Sequence, residues 1–225
     1  MTGKQQDLII QMFHVHKTYG AKKALVDINL DIYKNDFIFV NGPSGAGKTT
    51  LLKLLYLGEP VSEGQVLVDG MNLARISRGR IAHLRRKFGI IFQDYKLIAT
   101  RTVFENVALV LEALGTERRT ITKRVNYALR SVGMEDRRGS FPPSLSGGEQ
   151  QRVAVARAVV GNPKILLADE PTGNLDAASA EIIFNLLKKF HLRGGTVMVA
   201  THDPTLLNMP GQRIVQLKAG VRLQQ

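Results

Sequence analysis

Three stretches of the chain combine residue types and spacings that phosphate chemistry requires. The first is "GPSGAGKTT", Gly42 to Thr50, which contains the full phosphate-loop pattern G-x-x-x-x-G-K-[ST]. Its glycines let backbone N–H groups turn inward towards phosphate oxygens. The helix that follows adds the positive end of its dipole. Lys48 is expected to reach the β and γ phosphates, and the Thr49 hydroxyl to bind Mg²⁺. At average residue frequencies the pattern arises by chance in roughly one chain of this length in a hundred. A plain glycine turn into a helix is therefore the weaker account.

The second stretch is "ILLAD", Ile165 to Asp169, an apolar run ending in a carboxylate, followed at once by Glu170. Asp169 is placed to hold a Mg²⁺ shell, and Glu170 to polarise an attacking water as general base. Alone, an Asp-Glu pair after a strand reads best as a helix N-cap. Beside a phosphate loop in the same chain, the catalytic reading is preferred.

The third is "SLSGGEQQRVAVARAVVGNPK", Ser144 to Lys164. Ser146 and Glu149 have the S-x-x-E spacing of a capping box. The helix they open is expected to finish at Gly161, Asn162 and Pro163. A capping box does not require Gly147 and Gly148, and glycine in a helix costs stability relative to alanine. Bare backbone at a helix start suits the close approach of an anion.

These residues need elements to hold them. "FIFVNG" (Phe37 to Gly42), "KILLADE" (Lys164 to Glu170) and "TVMVATHD" (Thr196 to Asp203) are continuous apolar runs, as buried parallel strands are. "VDINLDI" (Val26 to Ile32) alternates strictly, as a half-buried antiparallel strand does. Helical patterns run from Thr50 to Leu57 and from Ala178 to Phe190. The latter carries Ile182, Ile183, Leu186, Leu187 and Phe190 as one apolar stripe. Strands alternating with helices predict an α/β core with a parallel sheet. From about Val103 to Val160 the patterns are mainly helical, which predicts a helical lobe inserted into the sheet domain. "GSFPPSLSGG" (Gly139 to Gly148) reads as a loop, and "RIVQLKAGVRL" as a hairpin around Ala219 and Gly220.

The 225 residues, 44% of them hydrophobic, suffice for one large-cored domain and argue against disorder. The absence of cysteine excludes a disulfide framework and thiolate chemistry. "MTGKQQDLII" lacks the pattern of a signal peptide, and "VALVLEALG" is broken by Glu112, so the chain reads as cytosolic. The net charge of +12 points to anionic surroundings. Arg75, Arg78, Arg80, Arg85, Arg86 and Lys87 lie between Asp69 and Asp94 with no acid among them, and Arg213, Lys218 and Arg222 follow Asp203. For any one of these clusters a solvated basic face is the preferred reading. His14, His16, His83 and His191 have no context that suggests a role.

"LSGGEQQR" resembles the signature sequence of ATP-binding cassette (ABC) ATPases, and the resemblance extends over nearly the whole chain. It implies a P-loop NTPase core with an N-terminal antiparallel β subdomain and an inserted helical subdomain. Residues 1–93 and 161–225 would form the core and β subdomain, and 94–160 the helical subdomain. Tyr19 in "KTYG" matches the aromatic that stacks on adenine. Gly42, Pro43, Ser44, Gly45, Ala46, Gly47, Lys48, Thr49 and Thr50 match the Walker A loop. Gln93 in "IIFQD" matches the glutamine that touches Mg²⁺ and follows the nucleotide state. Asp169 and Glu170 match the Walker B aspartate and catalytic glutamate, and Asp176 in "GNLD" the D-loop aspartate. His202 in "ATHD" matches the switch histidine at the γ-phosphate.

The family's mechanism then implies a homodimer, or a heterodimer with a similar chain. ATP on one Walker A loop meets Ser146, Gly147, Gly148 and Glu149 of the other subunit. Lys87 to Leu111 and Leu167 to Asp176 further resemble the FtsE group of cell-division ATPases, with the lipoprotein-release and efflux ATPases LolD and MacB as the alternative. Pro43 and Thr49 stand where many FtsE sequences are expected to carry His and Ser. The FtsE resemblance implies a membrane partner like FtsX, docking near Gln93 to Val107, and control of peptidoglycan cutting at the septum. It also implies a peripheral position on the cytoplasmic face of the inner membrane, where an anionic leaflet suits the net charge. A nucleic-acid-associated ABC protein is disfavoured because the chain has neither two cassettes nor a long coiled-coil insertion. A monomeric P-loop kinase or switch leaves "LSGGEQQR" without a purpose.

Overall fold

The computed structural model describes residues 7–203 and 213–223. In chain order the strands and α-helices are β1 (Leu8–Tyr19), β2 (Lys22–Tyr33), β3 (Phe37–Asn41), α1 (Lys48–Leu55), β4 (Glu63–Val68), β5 (Met71–Asn72), α2 (Arg78–Arg85), β6 (Phe88–Ile91), α3 (Val103–Ala113), α4 (Arg118–Ser131), α5 (Gly147–Val159), β7 (Ile165–Asp169), α6 (Ala177–Leu192), β8 (Thr196–Thr201), β9 (Arg213–Lys218) and β10 (Val221–Arg222). They gather into two compact units. One comprises the chain up to Arg85 and from Gly194 onward, the other Arg86–Arg193.

The first unit holds an antiparallel sheet in the order β2-β1-β4-β5. The alternation of β2 is realised, with Ile28, Leu30 and Ile32 buried. Its long partner β1 has no clean alternation in sequence, because a bulge between Met12 and Val15 shifts the inward face. His14 takes a left-handed φ of 45° there. Opposite the bulge is Gly64, where a Cβ would lie 2.2 Å from the His14 carbonyl oxygen.

The same unit contains strands in the order β10-β9-β3-β8. β3 pairs in parallel with β8 and with β9. Ile38, Phe39 and Val40 are fully buried, and so are Val197, Val199 and Ala200 of β8. α1 packs against β8 and buries Leu51, Leu52, Leu54 and Leu55. It starts two residues earlier than the Thr50–Leu57 pattern predicts, since Lys48 already has a helical place. The expected hairpin forms between β9 and β10, with Ala219 and Gly220 at φ 49° and 80° as a twisted two-residue turn requires.

The second unit pairs β6 and β7 in parallel, from Phe88 with Ile165 to Ile91 with Ala168. α3, α4 and α5 pack on one another, and α5 also packs on β6 and α6. The helical reading of the middle of the chain is borne out. α5 is apolar on most sides, with Val153, Ala154, Val155 and Ala156 all buried. It lies so close to β6 that a Cβ on Gly89 would sit 2.3 Å from the Ala158 carbonyl oxygen. α6 corrects the expected stripe. Ile183, Phe184 and Leu187 are its buried residues, while Ile182 is 44% exposed. The helix is turned so that the bulkier Phe184, not Ile182, fills the core.

Candidate functional site

In the first unit, β3 delivers the chain into the loop at Gly42 and α1 leaves it at Lys48. Gly45 and Gly47 have φ of 77° and 103°, a region where side chains are strained. Gly47 also has no room for a Cβ, which would meet the Ala24 carbonyl oxygen at 2.6 Å and the Leu25 side chain at 2.8 Å. Gly47 is the N-cap of α1 and supplies no side-chain acceptor to the first turn. Lys48 is buried, and its Nζ donates back across the loop to the carbonyls of Gly42 (2.7 Å) and Pro43 (3.3 Å). The loop is thus a ring of backbone with an ammonium folded over it, while Pro43, Ser44, Gly45 and Thr49 stay exposed and Thr50 is half-buried.

His202 follows β8 directly, and Thr201 is the register partner of Asn41 at the end of β3. The loop and His202 therefore lie at the carboxyl ends of neighbouring parallel strands, where ligands of open α/β sheets bind. Tyr19 ends β1 and is 41% exposed. Its ring is backed by Lys17, whose Nζ lies 4.7 Å from the ring centroid. Lys17 is in turn held by Glu59 (3.1 Å) and the Pro60 carbonyl (2.9 Å).

In the second unit, Gln93 follows β6 and Glu170 follows β7, so the parallel pair brings them to one end. Both flank Gly173: a Cβ there would lie 3.7 Å from Glu170 Cβ and 3.9 Å from Gln93 Nε2. Asp169 is the last residue of β7. Glu170 adopts φ 45°, a left-handed backbone that a non-glycine residue holds only when its surroundings impose it. Asp176 caps α6, its two carboxylate oxygens accepting from Ser179 N (2.8 Å) and Ser179 Oγ (2.9 Å). These bonds, the backbone one first, hold the Asp176 carboxyl below its ordinary value.

The capping box at α5 is formed as the spacing predicts. Ser146 N donates to Glu149 Oε2 at 2.8 Å, and Glu149 N to Ser146 Oγ at 3.3 Å. The Ser146 N–H first, and then the Ser146 hydroxyl, hold the Glu149 carboxyl below its ordinary value. The two glycines that follow have an intramolecular reason as well. A Cβ on Gly147 would stand 2.9 Å from the Tyr95 hydroxyl, and one on Gly148 2.6 Å from Ser179 Oγ. The protein's own side chains approach this helix start.

The ABC transporter family matches residues 25–173. Cell division ATP-binding protein FtsE of Streptococcus pneumoniae is 43% identical over 94% of this chain and 93% of its own. The Bacillus subtilis and Escherichia coli FtsE proteins are 42% and 44% identical over 95% and 94% of this chain, and 94% and 96% of their own. The chain is an FtsE-like member of the ABC ATP-binding family. Among solved structures, a bacterial ABC transporter cassette determined as a dimer superposes with a TM-score of 0.89 at 37% identity, covering 96% of this chain and 97% of that one. A dimeric post-hydrolysis cassette bound to ADP and Pi gives 0.88 at 36%, with coverage of 96% and 97%.

This ABC cassette therefore binds and hydrolyses ATP. Several residues around its motifs escape a motif reading. A second capping box, Thr102 with Glu105, opens α3, where Thr102 N donates to Glu105 Oε2 at 2.7 Å. The T-x-x-E spacing was there to be read. Asn106 of α3 is fully buried and holds the segment before it, accepting from Ile98 N and donating to the carbonyls of Ile98, Arg101 and Thr102. Arg157 of α5 donates to the Lys96 and Tyr95 carbonyls at 2.5 and 2.6 Å. No local spacing announces either residue. Among the described residues, no helix is long and apolar enough to cross a membrane.

Proposed function

We propose that the chain is the ATP-hydrolysing subunit of an FtsEX-like complex, in which ATP-driven closure of two cassettes acts on a transmembrane partner during cell division and so regulates septal peptidoglycan hydrolysis. The observation that carries this reading is identity of 42–44% to FtsE proteins over nearly the full length of both chains. Two solved relatives being dimers supports a homodimer.

The residue roles belong to this proposal. Tyr19 stacks on adenine, and the backbone from Gly42 to Thr50 cradles the phosphates with Lys48 at β and γ. Glu170 takes a proton from the attacking water, and His202 contacts the γ-phosphate. Ser146 to Glu149 of one subunit close over the partner's nucleotide, with Asp176 at the dimer interface. Thr49, Gln93 and Asp169 offer the oxygen donors that suit Mg²⁺. When bound, the ion neutralises charge building between the β and γ phosphates. Binding energy favours the closed dimer because only that state contacts the nucleotide from both sides.

The 94–160 segment would be the subdomain that carries the signature, and Gln93 to Val107 the dock for an FtsX-like subunit. The cassette would lie peripherally on the cytoplasmic face, where Arg75, Arg78 and Arg80, all exposed, face anionic lipid. Affinity purification from membranes tests the partner. A four-span subunit with a large outer loop is the expected companion, and recovery of a lipoprotein-release or efflux permease instead would refute the cell-division assignment.

A further inference from the structure

We infer that Arg157 is a positioning residue for ATP hydrolysis: by holding the Tyr95 and Lys96 carbonyls it fixes the backbone just beyond Gln93 onto the helix that begins at the signature. The inference rests on the proposed role of Gln93.

Tyr95 and Lys96 have φ of 59° and 49°, two consecutive non-glycine residues in the left-handed region. Each is a conformation that a residue with a Cβ adopts at a cost, so the turn needs an external hold. Within the turn, Tyr95 N donates to the Phe92 carbonyl (3.3 Å) and Lys96 N to the Asp94 carbonyl (2.6 Å). The exposed Lys96–Asp94 ion pair adds little. Arg157 supplies the rest, one arm of its planar fork to each carbonyl. Arg157 is half-buried, and a hydrogen bond partly shielded from water is stronger than one in water.

The Tyr95 side chain meets α5 again at its other end, against Gly147. Gly147 and Arg157 are ten residues apart, about three helical turns. One residue thus touches the helix beside the signature and well along its length. Any shift of α5 is carried to the turn that follows Gln93. Lysine at 157 would keep the charge but has a single point donor in place of the two-armed fork.

The test compares kcat and KM for ATP in the purified full chain. Arg157→Lys is expected to lower kcat about tenfold with KM within twofold and the melting temperature little changed. Lys96→Val, an exposed change that opposes a left-handed φ, is expected to give the same split with Arg157 intact. Lys96→Asn, which tolerates that φ, is expected to recover at least threefold of the Arg157→Lys loss. Wild-type kcat in Lys96→Val, or no recovery by Lys96→Asn, would overturn the inference. So would a loss in Arg157→Lys that falls on KM. Gln93→Ala is measured alongside. If it keeps wild-type kcat, the role of Gln93 itself is wrong. If it loses turnover while Arg157→Lys and Lys96→Val do not, only the positioning role fails.

Discussion

Glu170 is the residue on which chemistry and backbone geometry meet. It follows a buried strand, beside Gln93, with a left-handed φ that sets its carboxylate direction. Glu170→Gln keeps the shape and removes the carboxylate proposed as general base. Turnover should fall by about 10²–10⁴-fold, the usual contribution of general base catalysis, with ATP affinity retained. A phosphate-release assay showing wild-type turnover would refute the assignment. Gly148 is constrained by its neighbour. Gly148→Ala should cost about 1–3 kcal/mol as an overpacking change, because the new methyl meets Ser179 Oγ at 2.6 Å, offset by up to about 1 kcal/mol of helix propensity. Adding Ser179→Ala should return part of that loss in urea denaturation. If the double variant is no more stable than the single, the contact is not the cause.

At the scale of elements, helix starts are secured by local spacing. Ser146 with Glu149 was readable from four residues, and Thr102 with Glu105 follows the same rule. Ser146→Ala and Thr102→Ala should each cost about 1 kcal/mol. The Glu149 carboxyl is lowered by the Ser146 N–H and hydroxyl. Its folded pKa is below its unfolded one, so the unfolded state binds more protons between the two values. Its contribution to stability is full above the unfolded pKa and is lost as pH falls through the folded one. The stability gap between wild type and Glu149→Gln should therefore be present at neutral pH and shrink in acid. A gap independent of pH would exclude this linkage. By contrast, β1 was not legible. Its bulge at His14 breaks the period of two by which a strand is recognised. The facing of α6 departs from the expected stripe for a related reason. Ile182 and Phe184 lie on either side of one arc, and packing rather than periodicity chose Phe184.

For the whole molecule, association and charge are the properties to test. With ATP, Glu170→Gln should elute as a dimer in size-exclusion chromatography while wild type returns to monomer. Ser146→Arg should leave the monomer's ATP affinity nearly unchanged and stop hydrolysis. Equal loss of ATP binding by the isolated Ser146→Arg monomer would exclude action in trans. The net charge of +12 predicts binding to anionic vesicles that weakens with added salt. Arg75→Gln with Arg78→Gln and Arg80→Gln should reduce it, and salt-independent binding would rule out an electrostatic cause.

The sequence alone determined the phosphate loop, the capped signature helix, the buried strands within Phe37–Gly42, Lys164–Glu170 and Thr196–Asp203, and through them the family. These signals are short-range, since a glycine turn, a capping box or an apolar strand is written within about ten residues. Only the tertiary structure decided what stands behind them: Ser179 against Gly148, Tyr95 against Gly147, Lys17 beneath Tyr19, and Arg157 on carbonyls 61 and 62 residues away. Backbone carbonyls carry no side-chain identity. Which of them a distant arginine can reach depends on packing, which no spacing in the chain records.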